Sequence, residues 1–302
     1  MATARPLIQH SSVTIRKIAV LTDFSKNADI ALRYAAAFAR GYKAELVLAH
    51  AYLLPASALA APDVALVYEA FDGFRKSLDI RLHQRTEDAC LKDVKSSVLR
   101  REGGVKELLE SLSGTDLVVV GTSGETGLEK AAFGSTAEYV FRSSSVPVLT
   151  VGPRCPCRDA GEIAVRTILY ATDFSAGSQR AFEYALSIAA THEAALVLLH
   201  AVSDKDIQFS FERTMAGAEP MEKLRGLVPE AITFHHKPLC VVGFGNPETV
   251  ILEEAGRHEA DLIVVGVRGS GAFVPAISHL GGGTAYKVAA HAHCPVLTVR
   301  KS

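Results

Sequence analysis

The sequence lacks the features that would place the chain in or across a membrane or give it a disulfide scaffold. Its longest apolar segment, 52–68, is interrupted by Pro55, Pro62 and Asp63, whereas a membrane span needs about 20 apolar residues in a row. The N-terminal residues 1–17 contain no apolar core typical of a signal peptide. Five cysteines are too few for a disulfide framework. We therefore expect a cytoplasmic protein with no membrane partner.

An excess of charge of one sign is also lacking. The chain has 32 Lys and Arg residues against 33 Asp and Glu residues, which gives a net charge of -1. Such a balance provides no overall field that would attract nucleic acid, so nucleic acid is not expected as a partner. The Gly-x-Ser-x-Gly elbow of hydrolases and the Gly-x4-Gly-Lys-Ser/Thr phosphate loop are both absent. On these grounds we assign no catalytic residue.

The chain contains an internal duplication. Its 302 residues are enough for two domains of about 150 residues, and four blocks of the first half recur in the same order in the second. The matched blocks are 16–25 with 166–175, 44–51 with 194–201, 116–121 with 261–266, and 147–151 with 295–299. Repetition on this scale predicts two copies of a whole domain. We predict a first domain over 1–152, a linker over 153–165 and a second domain over 166–302.

Within each copy, short apolar runs alternate with longer helical patterns. The run 117–120 has no polar alternation, which is typical of a parallel strand covered on both faces. This alternation predicts an α/β fold made of two tandem copies of an open, doubly wound parallel sheet. The predicted strands of the first copy are 16–22, 45–51, 93–100, 116–121 and 147–151, and its predicted helices are 27–40, 67–88, 104–113 and 136–144. In the second copy, Gly217, Pro220 and Pro229 are expected to break any helix between 202 and 229.

A spaced set of small residues follows the fourth predicted strand. Gly121-Thr-Ser-Gly124 is separated by nine residues from Gly134-Ser135-Thr136, which precede a predicted helix. In an open α/β sheet, ligands bind beyond the carboxyl ends of the strands where the strand order switches. Free amides and the positive end of a helix dipole would meet a phosphate at Gly134 and Ser135. The alternative is structural: Gly121 turns the chain and Ser135 caps the helix.

A carboxylate stands at the end of the first predicted strand. Asp23, in Thr22-Asp23-Phe24-Ser25, is placed to accept hydrogen bonds from a ribose hydroxyl or a base amino group. Its alternative role is to cap the first helix, although Ser25 or Asn27 can do that instead. The residues leave these two roles open.

Together these motifs give the sequence a family resemblance. The spacing Gly-x2-Gly-x9-Gly-Ser, with Thr-Asp-Phe-Ser at the first strand and Pro-Val-Leu-Thr-Val at the last, resembles the ATP-binding branch of the universal stress proteins, over nearly all of both halves. Leu21 stands where those relatives carry proline. The resemblance implies a Rossmann-like, adenine nucleotide alpha-hydrolase-like fold, an ATP ligand with Mg²⁺, and pairing of two domains within one chain or between two chains as a homodimer. It implies adenosine contacts at Asp23 and Ala51 and ribose or phosphate contacts at Gly121, Ser123, Gly124, Gly134, Ser135 and Thr136.

The second copy departs from this pattern. Twelve residues, rather than nine, separate Gly266-Val-Arg-Gly269 from Gly282-Gly-Thr284, and Gly283 replaces the serine. A longer and more flexible loop costs more entropy to order around a ligand. Asp173 and Ala201 keep the adenosine side, and Arg268 or His279 is a candidate substitute for the missing hydroxyl. The matching positions of the second site are therefore Asp173, Ala201, Gly266, Arg268, Gly269, Gly282, Gly283 and Thr284, and we expect this site to be the weaker one.

Three functions are compatible with these residues. The first is a stress-response ATP-binding protein that acts as a nucleotide-dependent sensor or interaction module. The second is a slow ATPase or adenylate-transferring enzyme in which an aspartate near the phosphates works with Mg²⁺. The third is a nucleotide-free scaffold whose 52–68 segment contacts a partner.

The remaining histidines and cysteines are interpreted as structural. His235 and His236 are predicted to point to opposite faces of a strand, and His291 and His293 to lie on different faces of a helix, so no metal site is assigned. His50 and His200 recur at the end of the second strand of each copy and are interpreted as packing or hydrogen-bonding residues. Cys155 and Cys157 lie in the predicted linker without a second pair of ligands at metal spacing. Cys90, Cys240 and Cys294 are predicted to be small buried apolar residues.

Overall fold

The computed structural model describes residues 13–53, 64–122, 133–156, 163–203, 210–228, 235–267 and 283–300. The first half contains β1 (Lys17–Leu21), α1 (Lys26–Tyr42), β2 (Glu45–Tyr52), α2 (Val64–Thr86), β3 (Ser96–Glu102), α3 (Val105–Ser111), β4 (Leu117–Gly121), α4 (Ser135–Ser143) and β5 (Val148–Val151). The second half contains β6 (Thr167–Ala171), α5 (Ala176–His192), β7 (Ala195–Val202), α6 (Ser210–Leu227), β8 (Leu239–Phe244), α7 (Pro247–Arg257), β9 (Leu262–Val267), α8 (Thr284–His291) and β10 (Val296–Arg300).

All ten of these strands lie in one sheet, in the order β3-β2-β1-β4-β5-β10-β9-β6-β7-β8. Within each half the neighbouring strands are parallel, and the first strand of the half lies between its second and fourth strands. This is the doubly wound arrangement that the alternation of strands and helices predicts. The predicted fold class is therefore confirmed.

The two halves meet at the centre of the sheet through an antiparallel pair of strands, β5 and β10. Two buried threonines reinforce the pair from opposite sides. The hydroxyl of Thr150 donates to the carbonyl of Val296 over 3.1 Å, and that of Thr298 donates to the carbonyl of Val148 over 3.2 Å. Because the central pair is antiparallel, the carboxyl ends of the strands face one edge of the sheet in the first half and the opposite edge in the second.

Alternate residues of each central strand supply two separate cores. In β1, Ile18 and Val20 point to a core that includes α1, α2, α5 and α6, whereas Ala19 and Leu21 point to one that includes α3, α4, α7 and α8. Covering on both faces explains why these strands are apolar throughout. It also places α1 and α4, which follow β1 and β4, on opposite faces of the sheet.

The helix α6 corrects the expectation that glycine and proline break the 202–229 segment. The helix runs from Ser210 to Leu227 with Pro220 inside it. Its Leu224 is fully buried in the core, and Gly217 approaches the ring of Phe244 so closely that a Cβ would lie 3.2 Å from Cζ. Packing against the sheet therefore outweighs the poor helix propensity of both residues.

Other boundaries differ from the predicted ones by a few residues. The strand β3 begins at Ser96 rather than at residue 93, because a short 3-10 helix over Ala89–Leu91, capped by Asp88, precedes it. His235 and His236 lie before β8 rather than in a strand, and α8 ends at His291, which leaves His293 beyond the helix. The predicted face arguments for these histidines were therefore wrong.

Candidate functional site

The candidate site of the first half lies where the strand order switches. The strands β1 and β4 are adjacent, with Leu21 paired to Val120, and their chains leave for opposite faces of the sheet. In a doubly wound sheet such a divergence forms a crevice at the carboxyl edge, here between the start of α1 and the start of α4. The second half repeats the arrangement between β6 and β9, where Ala171 is paired to Val265. In open α/β sheets this is the position at which ligands bind.

Asp23 lies on the exposed rim of this crevice and shapes the turn that leads into α1. Its Oδ1 accepts the backbone N–H of Ser25 over 3.0 Å. The cap of α1 is Ser25, whose hydroxyl accepts the N–H of Ala28 over 3.1 Å. Asp173 accepts from Ser175 over the same 3.0 Å in the second half. The helix cap is therefore supplied by serine in both halves, and neither aspartate is the cap.

Gly121 and Gly266 have a structural reason to be glycine. A Cβ on Gly121 would lie 2.8 Å from Nδ2 of Asn27 and 3.2 Å from its backbone, and one on Gly266 would lie 2.5 Å from the backbone nitrogen of Ser178. The first turns of α1 and α5 therefore pack directly on the ends of β4 and β9. This packing explains why residues 121 and 266 are glycine.

Two of the helices that begin at the crevices, α4 and α8, have glycine as the N-cap residue, as α3 does at Gly104. α1, α5 and α7 begin after Ser25, Ser175 and Asn246, whose side chains accept an N–H of the first turn. α4 and α8 begin after Gly134 and Gly283, which have no side chain to do so. Neither N-cap residue therefore covers the first-turn amides with its own side chain, which suits an anion site. Ser135 is the first residue of α4 rather than its cap, and so the proposed capping role was wrong.

Gly134 is held in place by the end of the neighbouring strand. Its N–H donates to the carbonyl of Thr122 over 2.7 Å, and the N–H of Thr122 donates to Val151 over 2.9 Å. The side chains of Ser135 and Thr136 are exposed beside it. At the second crevice, a Cβ on Gly283 would meet no atom within 4 Å, and Thr284 is exposed as the first residue of α8.

The two alanines predicted to flank adenosine lie near the ends of the second strands of the halves. Ala51 pairs with Arg101 in β3, and Ala201 pairs with Gly243 in β8. Both are half-buried and face the core that contains α4 and α8. The remaining predicted contacts, Ser123, Gly124, Arg268, Gly269 and Gly282, lie outside the described residues.

A repeated aromatic arrangement beside each aspartate was not recognised in the sequence. Phe24 has a φ of 65° and Phe174 a φ of 59°, a left-handed conformation that is costly for a bulky residue. Each is held by a hydrogen bond from its N–H to the preceding threonine, by Thr22 over 3.0 Å and by Thr172 over 2.9 Å. The strained turn that carries each aspartate is thus fixed in both halves.

The histidines at the ends of the second strands support these turns. Nδ1 of His50 donates to the carbonyl of Thr22 over 2.7 Å, and its ring centroid is 4.8 Å from that of Phe24. The guanidinium of Arg81 covers Phe24 at 3.9 Å from the centroid. In the second half, His200 bonds Thr172 over 2.8 Å and contacts Phe174 at 4.5 Å. The prediction of a packing and hydrogen-bonding role for these histidines is confirmed.

The cysteines of the described part of the chain are free thiols, and two of them are buried. Cys155 is buried, and burial raises the pKa of its thiol to about 12. Burial likewise raises the pKa of Cys294. Cys90 and Cys240 are only half-buried, which corrects the prediction that they are fully buried. Cys157 lies outside the described residues.

Membrane-spanning helices and metal-ligand clusters are both absent from the described ranges. None of the helices there is both long and apolar enough to cross a membrane. Within the same ranges, no three His, Cys, Asp or Glu side chains come together as metal ligands. Of the apolar 52–68 segment, residues 54–63 lie outside the description and Val64 begins α2.

The fold and its two crevices define a tandem, doubly wound α/β protein. The model of the universal stress protein family matches residues 14–152 and again residues 164–300. The chain therefore belongs to the universal stress protein family, with one family domain in each half.

Individual relatives agree with this assignment. A universal stress protein of Mycolicibacterium smegmatis is 28% identical over 303 residues, which covers 96% of this chain and 98% of the relative. One from Thermus aquaticus is 37% identical over 139 residues, or 45% of this chain and 98% of the relative. The crystal structure of a universal stress protein from Archaeoglobus fulgidus has a TM-score of 0.70 at 22% identity and covers 95% of this chain and 98% of that one. The first and third of these similarities extend over both halves.

Proposed function

We propose that the protein binds an adenine nucleotide, ATP in particular, in the crevice of the first half, and that it acts as a nucleotide-dependent sensor or interaction module in a stress response. The proposal rests on two groups placed where the strand order switches. They are the carboxylate of Asp23 and the N-terminus of α4, whose N-cap residue has no side chain. A carboxylate that suits ribose or base donors lies on one side of the crevice. Amides that suit a phosphate lie on the other, at Gly134 and Ser135.

The roles that we propose for the individual residues are those that the family resemblance implies. Asp23 and Ala51 flank the adenosine, while Gly134, Ser135 and Thr136, together with Ser123 and Gly124, hold the ribose and phosphates. The fixed turn at Phe24 keeps Asp23 in place before the ligand arrives, which lowers the entropy cost of binding. Mg²⁺ enters with the nucleotide and is coordinated chiefly by phosphate oxygens and water.

We propose that the second crevice, with Asp173, Ala201, Gly283 and Thr284, is the weaker site. Its rim has the same aspartate turn, but Gly283 provides no hydroxyl donor where the first half has Ser135. The extra length of its loop adds to the entropy cost of ordering it around phosphates. The two sites lie on opposite edges of the sheet, and we expect them to be filled independently to a first approximation.

A matched pair of variants tests the proposal. ATP is titrated by calorimetry into the wild type, Asp23→Asn and Asp173→Asn. Nucleotide carried through purification is first quantified by acid extraction of a separate sample and removed from the titrated protein by dialysis. We expect Asp23→Asn to weaken the tighter site by about 10-fold or more, because it weakens a charge-assisted hydrogen bond, and Asp173→Asn to leave that site unchanged. Equal effects of the two variants would contradict the ranking of the sites. A wild-type protein that is folded and binds no adenine nucleotide would refute the proposed function and favour a nucleotide-free scaffold.

A further inference from the structure

Three aromatic rings from both halves pack together beside the start of α4. Phe133, the residue before Gly134, is buried and stacks on Tyr286 from the first turn of α8, with centroids 4.5 Å apart and planes inclined by 21°. Phe141 meets both rings edge-on, at 5.4 Å from Phe133 and 5.5 Å from Tyr286. Stacked and edge-to-face contacts at these distances are favourable beyond the area they bury.

Further contacts join α4 to the second half. The guanidinium of Arg142 lies 5.6 Å from the centroid of the Tyr286 ring and is held by Glu138 over 2.9 Å. In the same last turn of the helix, Arg300 of β10 donates a hydrogen bond to the carbonyl of Phe141. The last turn of α4 and Phe133, which precedes the helix, are thus both in contact with residues of the second half.

We infer that Tyr286 is a positioning residue for the nucleotide site of the first half. Its ring holds Phe133, and Phe133 is bonded directly to Gly134, whose amide is fixed on the other side by Thr122. The amides proposed to bind phosphate are therefore held between Thr122, which follows β4, and the Tyr286 ring of the second half. The first site is complete only when the second half is in place. This inference rests on the proposed function, since it concerns the geometry of the same site.

The arrangement is not repeated in the second half. In the sequence, Gly281 stands 148 residues after Phe133 and Ala289 stands 148 residues after Phe141, so two of the three rings have no counterpart. Glu138 occupies the position in α4 that corresponds to Tyr286 in α8. Tyr286 of the second half therefore contacts residues beside the first site, and no matching ring of the first half does the same for the second site. This difference agrees with a tighter first site.

The experiment compares ATP affinity in the full-length wild type, Tyr286→Ala, Tyr286→Phe and Tyr42→Ala. We expect Tyr286→Ala to weaken the tighter site by about 3- to 10-fold, the loss that corresponds to one aromatic pair. Tyr286→Phe keeps the ring and should stay within about 2-fold of the wild type. Tyr42→Ala is the matched control, because Tyr42 also joins the halves, through Ser187 over 2.9 Å and the ring of His192 at 6.4 Å, but lies far from the crevice. It should lower the melting temperature and leave the affinity unchanged.

The outcomes separate the two proposals. If the wild type binds ATP and Tyr286→Ala binds it equally well, or if Tyr42→Ala weakens binding as much as Tyr286→Ala does, the positioning role is overturned while the proposed function stands. If the wild type binds no nucleotide, the proposed function fails and the site role fails with it.

Hydrogen exchange without nucleotide tests the anchoring directly. Faster exchange at residues 134–138 in Tyr286→Ala than in Tyr42→Ala supports it, and equal exchange overturns it. Tyr286→Leu replaces Tyr286→Ala if the latter does not fold.

Discussion

Asn27 packs against Gly121 with no space for a side chain between them: a Cβ on the glycine would lie 2.8 Å from Nδ2 and 3.2 Å from the backbone carbonyl carbon of the asparagine. Nδ2 also donates to the carbonyl of Val151 over 3.3 Å. Rotation of the side chain would therefore break a buried hydrogen bond, and the backbone contact would remain. The first turn of α1 is locked to the carboxyl ends of β4 and β5.

This contact predicts that Gly121→Ala destabilises the fold. We expect a loss of about 1–3 kcal/mol in the free energy of unfolding, the usual cost of overpacking, measured by urea denaturation. Gly266→Ala should cost more, since its Cβ would lie 2.5 Å from a backbone atom. Gly73→Ala is the control, because a Cβ there meets nothing within 4 Å in the exposed middle of α2, and it should gain about 0.5–1 kcal/mol. A Gly121→Ala protein as stable as the wild type would disprove the close approach.

A pH dependence is expected from His192, the last residue of α5, whose ring packs against Phe38 and Tyr42 of α1. Burial lowers the pKa of its imidazole below the ordinary value of 6.5. The unfolded chain therefore binds a proton at a higher pH than the folded chain does, and stability is lost as the pH falls below about 6.5. His192→Phe should reduce this loss.

The measurement is the free energy of unfolding at pH 7.5 and pH 5.5 for both proteins. Other groups titrate in this range, so the comparison uses the difference between wild type and variant rather than either value alone. His83→Ala, on the exposed surface of α2, is the control and should keep the pH dependence of the wild type. The same dependence in His192→Phe would show that this histidine contributes nothing to it.

The central strand pair predicts a symmetric effect of two substitutions. Thr150→Val and Thr298→Val each remove a hydroxyl that donates to a carbonyl of the opposite half. Each should cost about 1 kcal/mol, the net contribution of one hydrogen bond. The double variant should lose about the sum, because the two bonds do not share an atom. Denaturant unfolding of the three variants checks this, and a double variant no worse than either single one would show that the two bonds are not independent.

The proline inside α6 offers a test in the stabilising direction. Pro220 removes one N–H from the interior of the helix, and such a proline costs up to about 3 kcal/mol. Pro220→Ala should therefore raise the melting temperature. Pro247→Ala is the control, because Pro247 stands at the first position of α7, where proline is well tolerated, and little change is expected. A lower melting temperature in Pro220→Ala would mean that the ring of the proline makes a packing contribution larger than the lost hydrogen bond.

The sequence predicts the architecture of each half well because the signals for it are local. Apolar runs such as 117–120 identify buried strands, and the repeat assigns the same role to 262–265 in the second half. Because these signals are local, the sequence did not predict the helix α6. The helix α6 depends on the burial of Leu224 against the sheet, which its own sequence does not reveal.

The candidate site could be predicted only in part. Asp23 and Gly134 could be proposed because they stand at the ends of recognisable elements, and Ser25 was one of the two caps proposed for α1. The contact between Phe133 and Tyr286 joins positions far apart in the chain and has no counterpart in the other copy. Comparison of the two copies therefore cannot predict this contact. Nor does any local pattern distinguish a glycine that lines a ligand from one that, like Gly121, admits a neighbouring helix.

The β5–β10 pair has a consequence for how the protein behaves when it is dilute. Two separate subunits joined along such strands would come apart at low concentration and would exchange with other copies. A covalent link sets the effective concentration of one half around the other, whatever the amount of protein present. It also lifts the requirement that the contact surface be complementary to itself. Tyr42 and His192 stand 150 residues apart and so occupy equivalent positions of the two halves, and their ring centroids are 6.4 Å apart. Two identical subunits would place the same residue at both positions.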